Sequence, residues 1–202
     1  MGWLVKVFTQ NIDMLEFPLL NADDAVECHG TCRSAYCMQT EYKCNFSISS
    51  SVDMETYFWK KIRNDQLPTC PICNCYLRPA VTFFGEPLPS YFEKSLSVLT
   101  ECDLLLVMGT SLSVYPVASL PNMVDPLTVR MLFNNETRGC FQFVNACNVS
   151  NDNNISNNMQ SPWENSTYRD IFYQDSCDNA VEVFVRSLDK SKEFQMLLDS
   201  NR

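Results

Sequence analysis

A single histidine and only five glycines stand in a chain of 202 residues, and each scarcity excludes something. The glycines, Gly2, Gly30, Gly85, Gly109 and Gly139, are too widely spaced to form a G-x-G-x-x-G or P-loop pattern, so no diphosphate cradle can be pointed to. No stretch approaches the roughly eighteen apolar residues of a membrane span. Met1 to Gln10 carries one charged side chain inside a short apolar run, with no long apolar core or small-residue cleavage site, which is not how a secretory leader reads. Lys6 occupies the position where N-myristoylation wants Ser or Thr. The expectation is an intracellular protein, in the nucleus, the cytoplasm or both. Basic charge is also short, 15 Lys and Arg against 24 Asp and Glu, giving a net charge of −9 and a pI near 4.6. Such a surface repels phosphates, so direct nucleic-acid binding is not expected, whereas a basic peptide such as a histone tail is an easier partner.

What is present describes a globular α/β chain. A hydrophobic content of 46% is enough to bury a core. The runs Leu4 to Phe8, Leu104 to Met108 and Val129 to Phe133 lack polar alternation, as strands covered on both faces of a parallel sheet do. Helical spacing recurs between and after them: Phe92, Leu96 and Leu99 behind Pro89; Met54 to Asn64 with Tyr57 and Phe58 on an aromatic face; and Ala180, Val181, Phe184, Val185 and Leu188. Alternating strands and helices point to α/β architecture. Residues 31–75 hold six of the eleven cysteines and read as a small inserted module between a first part, 1–30, and a remainder, 76–202. Residues 145–165 include eight asparagines with little periodicity and read as a loosely held surface loop.

Without a secretory signal, the cysteines read as thiols rather than disulfides, some of them metal ligands. Cys37 and Cys44 form one pair, and Cys70 and Cys73 a Cys-x-x-Cys knuckle enclosing Pro71. Four thiolates suit tetrahedral Zn²⁺ and leave no open coordination position, so the metal would be structural. The alternative is a set of ordinary reduced cysteines. Cys32 and Cys75 lie near enough in sequence to compete with Cys37 and Cys73.

Polar residues gather where strands should end. Gln10, Asn11 and Asp13, in Thr9-Gln10-Asn11-Ile12-Asp13, follow the first apolar run, and Gly109-Thr110-Ser111 follows the second. Ligands of open α/β sheets bind at the carboxyl ends of strands, so two such ends suggest one cleft. Asn11 and Asp13 also suit a turn that caps a following helix. His29, in Glu27-Cys28-His29-Gly30, would alone be more often a packed residue than a catalyst. Phe83-Phe84-Gly85-Glu86 completes the set, although adjacent phenylalanines are commonly core.

Taken in order, these motifs resemble the sirtuin family, the NAD-dependent protein-lysine deacylases, and most closely its class I members. Their pattern includes TQNID, HG, a four-cysteine zinc module, FFGE and GTSL-V-P, and the resemblance runs from about Val5 to Leu188. It implies a Rossmann-type parallel sheet carrying a small zinc module. It implies a deacetylase that transfers the acetyl group of acetyl-lysine proteins to ADP-ribose with release of nicotinamide. The family's Gly-Ala-Gly-x-Ser loop and Pro-Asp-Phe-Arg segment have no counterpart here, so the resemblance leads to the expectation of an incomplete catalytic core. A noncatalytic, zinc-stabilised fragment that binds acetylated or basic peptides is the alternative.

The resemblance also implies roles. His29 is the general base, as an imidazole suits that task at neutral pH. Asn11 holds the ribose and a water near the reacting carbon, Asp13 takes the nicotinamide carboxamide and Gln10 a ribose hydroxyl. Gly109, Thr110 and Ser111 lie on the adenosine side of NAD, Asn134 and Glu136 hold the adenine ribose, and Cys177 lies along the adenine. Phe84, Gly85, Glu86 and Val114 bind the substrate peptide as an added strand. Thr82, where the family usually has Val, borders the acyl-lysine tunnel. Cys37, Cys44, Cys70 and Cys73 hold one zinc, although six residues separate the first two where about two to four are usual.

Overall fold

The computed structural model describes residues 4–17, 19–39, 44–141 and 169–200. The Asn-rich stretch 145–165 therefore lies outside the described residues. The chain divides into two compact units, Met1–Val98 and Leu99–Arg202.

In the first unit, β1 (Val7–Thr9) runs parallel to β2 (Ala25–Glu27), with Val7 opposite Ala25 and Thr9 opposite Glu27. The chain then turns at Cys28-His29 into β3 (Gly30–Cys37), the middle strand of an antiparallel sheet between β4 (Ser47–Ile48) and β5 (Leu77–Val81). Gly30 stands opposite Val81 and Cys37 opposite Leu77, with an irregularity between Thr31 and Ala35. A helix over residues 51–63 packs against this sheet. Ser50 caps it by accepting the Asp53 amide at 3.0 Å, and its middle turn, Met54–Trp59, is π-helical. Met54 and Phe58, one turn apart, point inward to join Ala35, Cys37, Ile48, Cys70 and Leu77 in one core. Tyr57, expected beside Phe58, instead sits at the rim and meets Phe46 edge-on at 6.4 Å. The spacing behind Pro89 becomes a helix at Ser90–Lys94 and a tighter 3₁₀ stretch at Leu96–Thr100, with Phe92 and Leu99 buried.

The second unit is a parallel sheet in the order β6 (Leu104–Met108), β7 (Val129–Asn134), β8 (Asp170–Gln174), followed by helices at Cys177–Ser187 and Ser191–Ser200. This is the parallel α/β class that the apolar runs predict. The central strand carries the core: Leu132 and Phe133 are almost wholly buried, and Phe133 packs edge-on against Tyr173 and Phe184. Coverage on both faces holds for the strand middles only. Leu104 and Met108, at the two ends of the outer strand β6, and Val129, at the start of the central strand β7, remain more than a third exposed. The first apolar run behaves likewise, Leu4 and Val5 being exposed ahead of β1. Among the described residues, no helix is long and apolar enough to cross a membrane.

One charged pair sits inside this apolar unit. Arg130 on β7 faces Asp170 on β8, and Nε and Nη2 each donate to one carboxylate oxygen at 2.6 Å. Both side chains are at least 96% buried. Nη1 donates to the Pro121 carbonyl at 2.7 Å, and the Phe141 ring lies 4.9 Å from the guanidinium. Planar bidentate pairing satisfies most of the fork's donors, which is what makes a buried ion pair tolerable. Asp170→Asn leaves the Arg130 charge buried and unmatched, so it is expected to cost about 3–5 kcal/mol, read by chemical denaturation. An unchanged midpoint would show that the pair does not hold β7 to β8.

Candidate functional site

The first unit builds a site around the lone histidine. The Cys28 amide donates to the Thr9 carbonyl at 2.9 Å, which holds the end of β2 beside the end of β1. His29 then follows a fully buried Cys28, whose thiol is pushed up to about 12 by burial and is therefore inert. The His29 Nδ1 lies 3.2 Å from the Gln10 carbonyl oxygen. A carbonyl can only accept, so the neutral ring carries its proton on Nδ1 and leaves the Nε2 lone pair for a reaction partner. On its other side, the His29 carbonyl accepts the Thr82 amide at 2.8 Å. The turn needs glycine at position 30: φ is +77°, and a Cβ there would run into the Ala80 carbonyl oxygen.

Gln10, His29 and Thr82 are thus brought together by backbone contacts. Asn11 and Asp13 follow on an exposed turn. The Asn11 amide is held by the Thr9 hydroxyl at 3.2 Å, and Asp13 Oδ1 accepts the Leu15 amide at 3.3 Å. The capping alternative for Asp13 is therefore realised as a turn, which leaves its second carboxylate oxygen for a ligand. Phe83 and Phe84 are not core: they are 54% and 96% exposed, at the end of β5. The Glu86 carboxylate accepts two nitrogens of Arg78 and the Phe83 amide. The Arg78 guanidinium first, and the Phe83 amide second, hold that carboxyl down to about 2.

The second unit gathers a different set at the carboxyl ends of its three parallel strands. The Gly109 amide donates to the Phe133 carbonyl at 3.1 Å, and its φ is +60°. A Cβ on Gly109 would stand 3.2 Å from the Cys177 sulfur, so the bare backbone is what lets strand end and helix start meet. Cys177 in turn donates to the Phe133 carbonyl at 3.7 Å. Asn134 donates to the carbonyls of Thr110 and Glu136 at 3.2 and 3.1 Å, tying the ends of β6 and β7 together. Thr110 accepts the Leu112 amide, Ser111 shares a hydrogen bond with Ser113, and the exposed Glu136 pairs with Arg138. Gly109, Thr110, Ser111, Asn134, Glu136 and Cys177 therefore form one neighbourhood. Val114 lies in this unit too, its carbonyl accepting the Ala118 amide that starts the next 3₁₀ turn.

The cysteine module closes as a cluster. The sulfurs of Cys37, Cys44, Cys70 and Cys73 all lie within 4.8 Å of one another, with Cys37 to Cys73 at 3.3 Å and Cys44 to Cys70 at 3.7 Å. Tetrahedral zinc with about 2.3 Å bonds to sulfur requires sulfur separations of about 3.8 Å, so the four fit that ion. The knuckle is preformed: the Cys70 and Asn74 amides close a turn onto the Cys75 and Cys70 carbonyls, and the Cys75 amide first of all brings the Cys73 thiol down to about 7. Burial pushes Cys37 up to about 12, so ion binding must displace its proton. Cys75 faces the Gln39 amide nitrogen at 3.4 Å, and neither it nor Cys32 belongs to the four.

Sequence reasoning missed Arg78, the partner of Glu86. Its one signal is a guanidinium inside the otherwise apolar strand Leu77–Val81.

Comparison with known proteins agrees with this geometry. The Sir2 family model matches residues 1–116, more than half of the chain. The NAD-dependent protein deacetylase sirtuin-2 of Danio rerio is 30% identical over 208 residues, covering 98% of this chain and 49% of the relative. The NAD-dependent protein deacetylase sirtuin-3 of Mus musculus is 37% identical over 139 residues, 68% of this chain and 39% of the relative. The NAD-dependent histone deacetylase SIR2 of Saccharomyces cerevisiae is 33% identical over 172 residues, 67% of this chain and 29% of the relative. The chain belongs to the Sir2 family. It spans about half the length, or less, of these relatives.

Two outcomes are expected. Metal analysis of protein purified without chelator should give one zinc per chain, with Cys70→Ser lowering both zinc content and melting temperature; a metal-free protein with an unaltered melt sinks the assignment. Separately, Glu86 has a folded value near 2, below its ordinary 4.5. Its contribution to stability is therefore complete above the ordinary value and is lost as pH falls toward the folded one. Glu86→Gln should accordingly flatten part of the loss of melting temperature between those two pH values, and an identical acid limb would contradict the pairing.

Proposed function

We propose that this chain carries out NAD-dependent deacetylation of acetyl-lysine proteins. The observation that supports it most directly is His29, held through Nδ1 by the carbonyl of Gln10 and through its own carbonyl by Thr82. A base, a cofactor-side turn and a substrate-side strand end meet at one residue. NAD, when bound, supplies the ADP-ribose that accepts the acetyl group, with release of nicotinamide.

The chain's residues then divide the work. Nε2 of His29 takes the proton from a ribose hydroxyl, a role for which the fixed tautomer leaves it free. Gln10 and Asn11 orient the ribose, and the free carboxylate oxygen of Asp13 receives the carboxamide. Gly109, Thr110 and Ser111, with Asn134, Glu136 and Cys177, hold the adenosine half, at the strand ends where parallel sheets bind such groups. No residue of this chain is assigned to the diphosphate. Phe84, Gly85, Glu86 and Val114 take the peptide backbone, and Thr82 borders the acyl group. Zinc on Cys37, Cys44, Cys70 and Cys73 is structural, because four protein ligands leave it no open position. Histone tails fit the partner expected of a chain with a net charge of −9. Nucleus and cytoplasm are the compartments where such substrates occur.

The scarcity of glycine favours one other reading, a zinc-stabilised protein that binds acetylated or basic peptides without turnover. An acetyl-lysine peptide incubated with and without NAD, and read by mass, separates the two. Deacetylation that requires NAD and falls at least about a hundredfold in His29→Ala, with zinc content unchanged, is the expected result. Peptide binding without any NAD-dependent mass loss would overturn the enzymatic reading in favour of the binding one.

A further inference from the structure

Arg78 is fixed more heavily than a surface ion pair requires. Its Nη1 and Nη2 reach the two carboxylate oxygens of Glu86 at 2.7 and 2.9 Å, and Nη2 also donates to the Val81 carbonyl at 2.9 Å. Its guanidinium carbon lies 4.5 Å from the ring of Phe83 and 5.4 Å from that of Tyr36. Only 17% of the side chain is exposed, against 39% for Glu86. Few exposed ion pairs order a loop, but a bidentate fork that is also covered by two rings does.

The turn it faces is closed from within as well. The Glu86 amide donates to the Phe83 carbonyl at 3.0 Å, and the Phe83 amide donates back to Glu86 Oε2 at 2.9 Å. Among the described residues, the hydrogen bonds that close residues 83–86 converge on Glu86 and Phe83, and Arg78 grips both. Phe84 lies between them with 96% of its surface in water. Beside the turn, Tyr36, Ala80, Val81, Thr82, Pro87 and Pro89 line an open groove of about 320 Å³.

We propose that Arg78 is a positioning residue: it holds the turn 83–86 open in the shape that receives the peptide backbone and keeps Phe84 free to cover the bound chain. The peptide half of this statement rests on the functional reading above. Arg78 touches no reacting atom, so its loss should raise the KM for peptide and leave kcat and the KM for NAD nearly unchanged. Lysine supplies one charge but neither the fork nor the stacking plane, and should rescue only in part.

The test compares Arg78→Met, Arg78→Lys and the unsubstituted protein, all with zinc content verified. Amide hydrogen exchange at Phe83 and Glu86 reads the turn without any need for activity. Protection at these two amides should fall in Arg78→Met, less in Arg78→Lys, while Met38 and Cys70 in the cysteine module keep theirs. Peptide affinity should weaken about tenfold in Arg78→Met. Unchanged protection at Phe83, or loss that spreads to Cys70, overturns the positioning role. Altered protection with unchanged peptide affinity overturns the peptide half alone. An unsubstituted protein that takes no acetylated peptide overturns the functional reading, while the exchange data still decide whether Arg78 orders the turn.

Discussion

The first unit depends on one close approach of backbone to backbone, that of Gly30 to Ala80. Only a residue without a side chain can stand there, and the pairing of β3 with β5 begins from it. That register carries His29 just ahead of Gly30 at one end of β3 and Cys37, opposite Leu77, at the other; because β3 is irregular between Thr31 and Ala35, the two paired ends stand only about 13 Å apart, the length of Leu77–Val81 by ordinary strand rise. The histidine and the cysteine cluster therefore lie at the two ends of one paired strand.

The second unit solves a similar problem with a different glycine. Gly109 ends β6 so close to Cys177 that strand and helix meet without an intervening side chain, and Asn134 then ties the ends of β6 and β7 through carbonyls. Polar side chains gather at this rim because the strand interiors are occupied by Leu132, Phe133 and the enclosed pair of Arg130 and Asp170. The core fixes the strand ends, and the strand ends fix the ligand-type residues.

Much of this was legible in the sequence for simple reasons. Leu104 to Met108 is an unbroken apolar run and Val129 to Phe133 is broken only by Arg130, a pattern without polar alternation that fits strands of a parallel sheet. The Cys-x-x-Cys knuckle at Cys70 and Cys73 announced a metal-type cluster, while the wide spacing of Cys37 and Cys44 left Cys32 and Cys75 in competition until the sulfurs were seen together, and TQNID announced a polar strand end. Other features depend on pairings that no local pattern carries. Nothing near Gly30 in sequence says that Ala80 will approach it, and nothing near Glu86 says that Arg78 will take its carboxylate. Tyr57 and Phe58 are both aromatic neighbours in sequence, yet successive helical residues project about 100° apart, so Phe58 is buried while Tyr57 sits at the rim.

The lone histidine has a further, practical consequence. In most proteins the imidazole proton signals of several rings overlap, and assigning one to a particular residue takes mutants or isotopes. Here a single ring is present in the whole chain. Its Hε1 resonance in an ordinary one-dimensional spectrum belongs to His29 without assignment, so the environment of that ring beside the Gln10 carbonyl can be followed directly, ligand by ligand, in unlabelled protein.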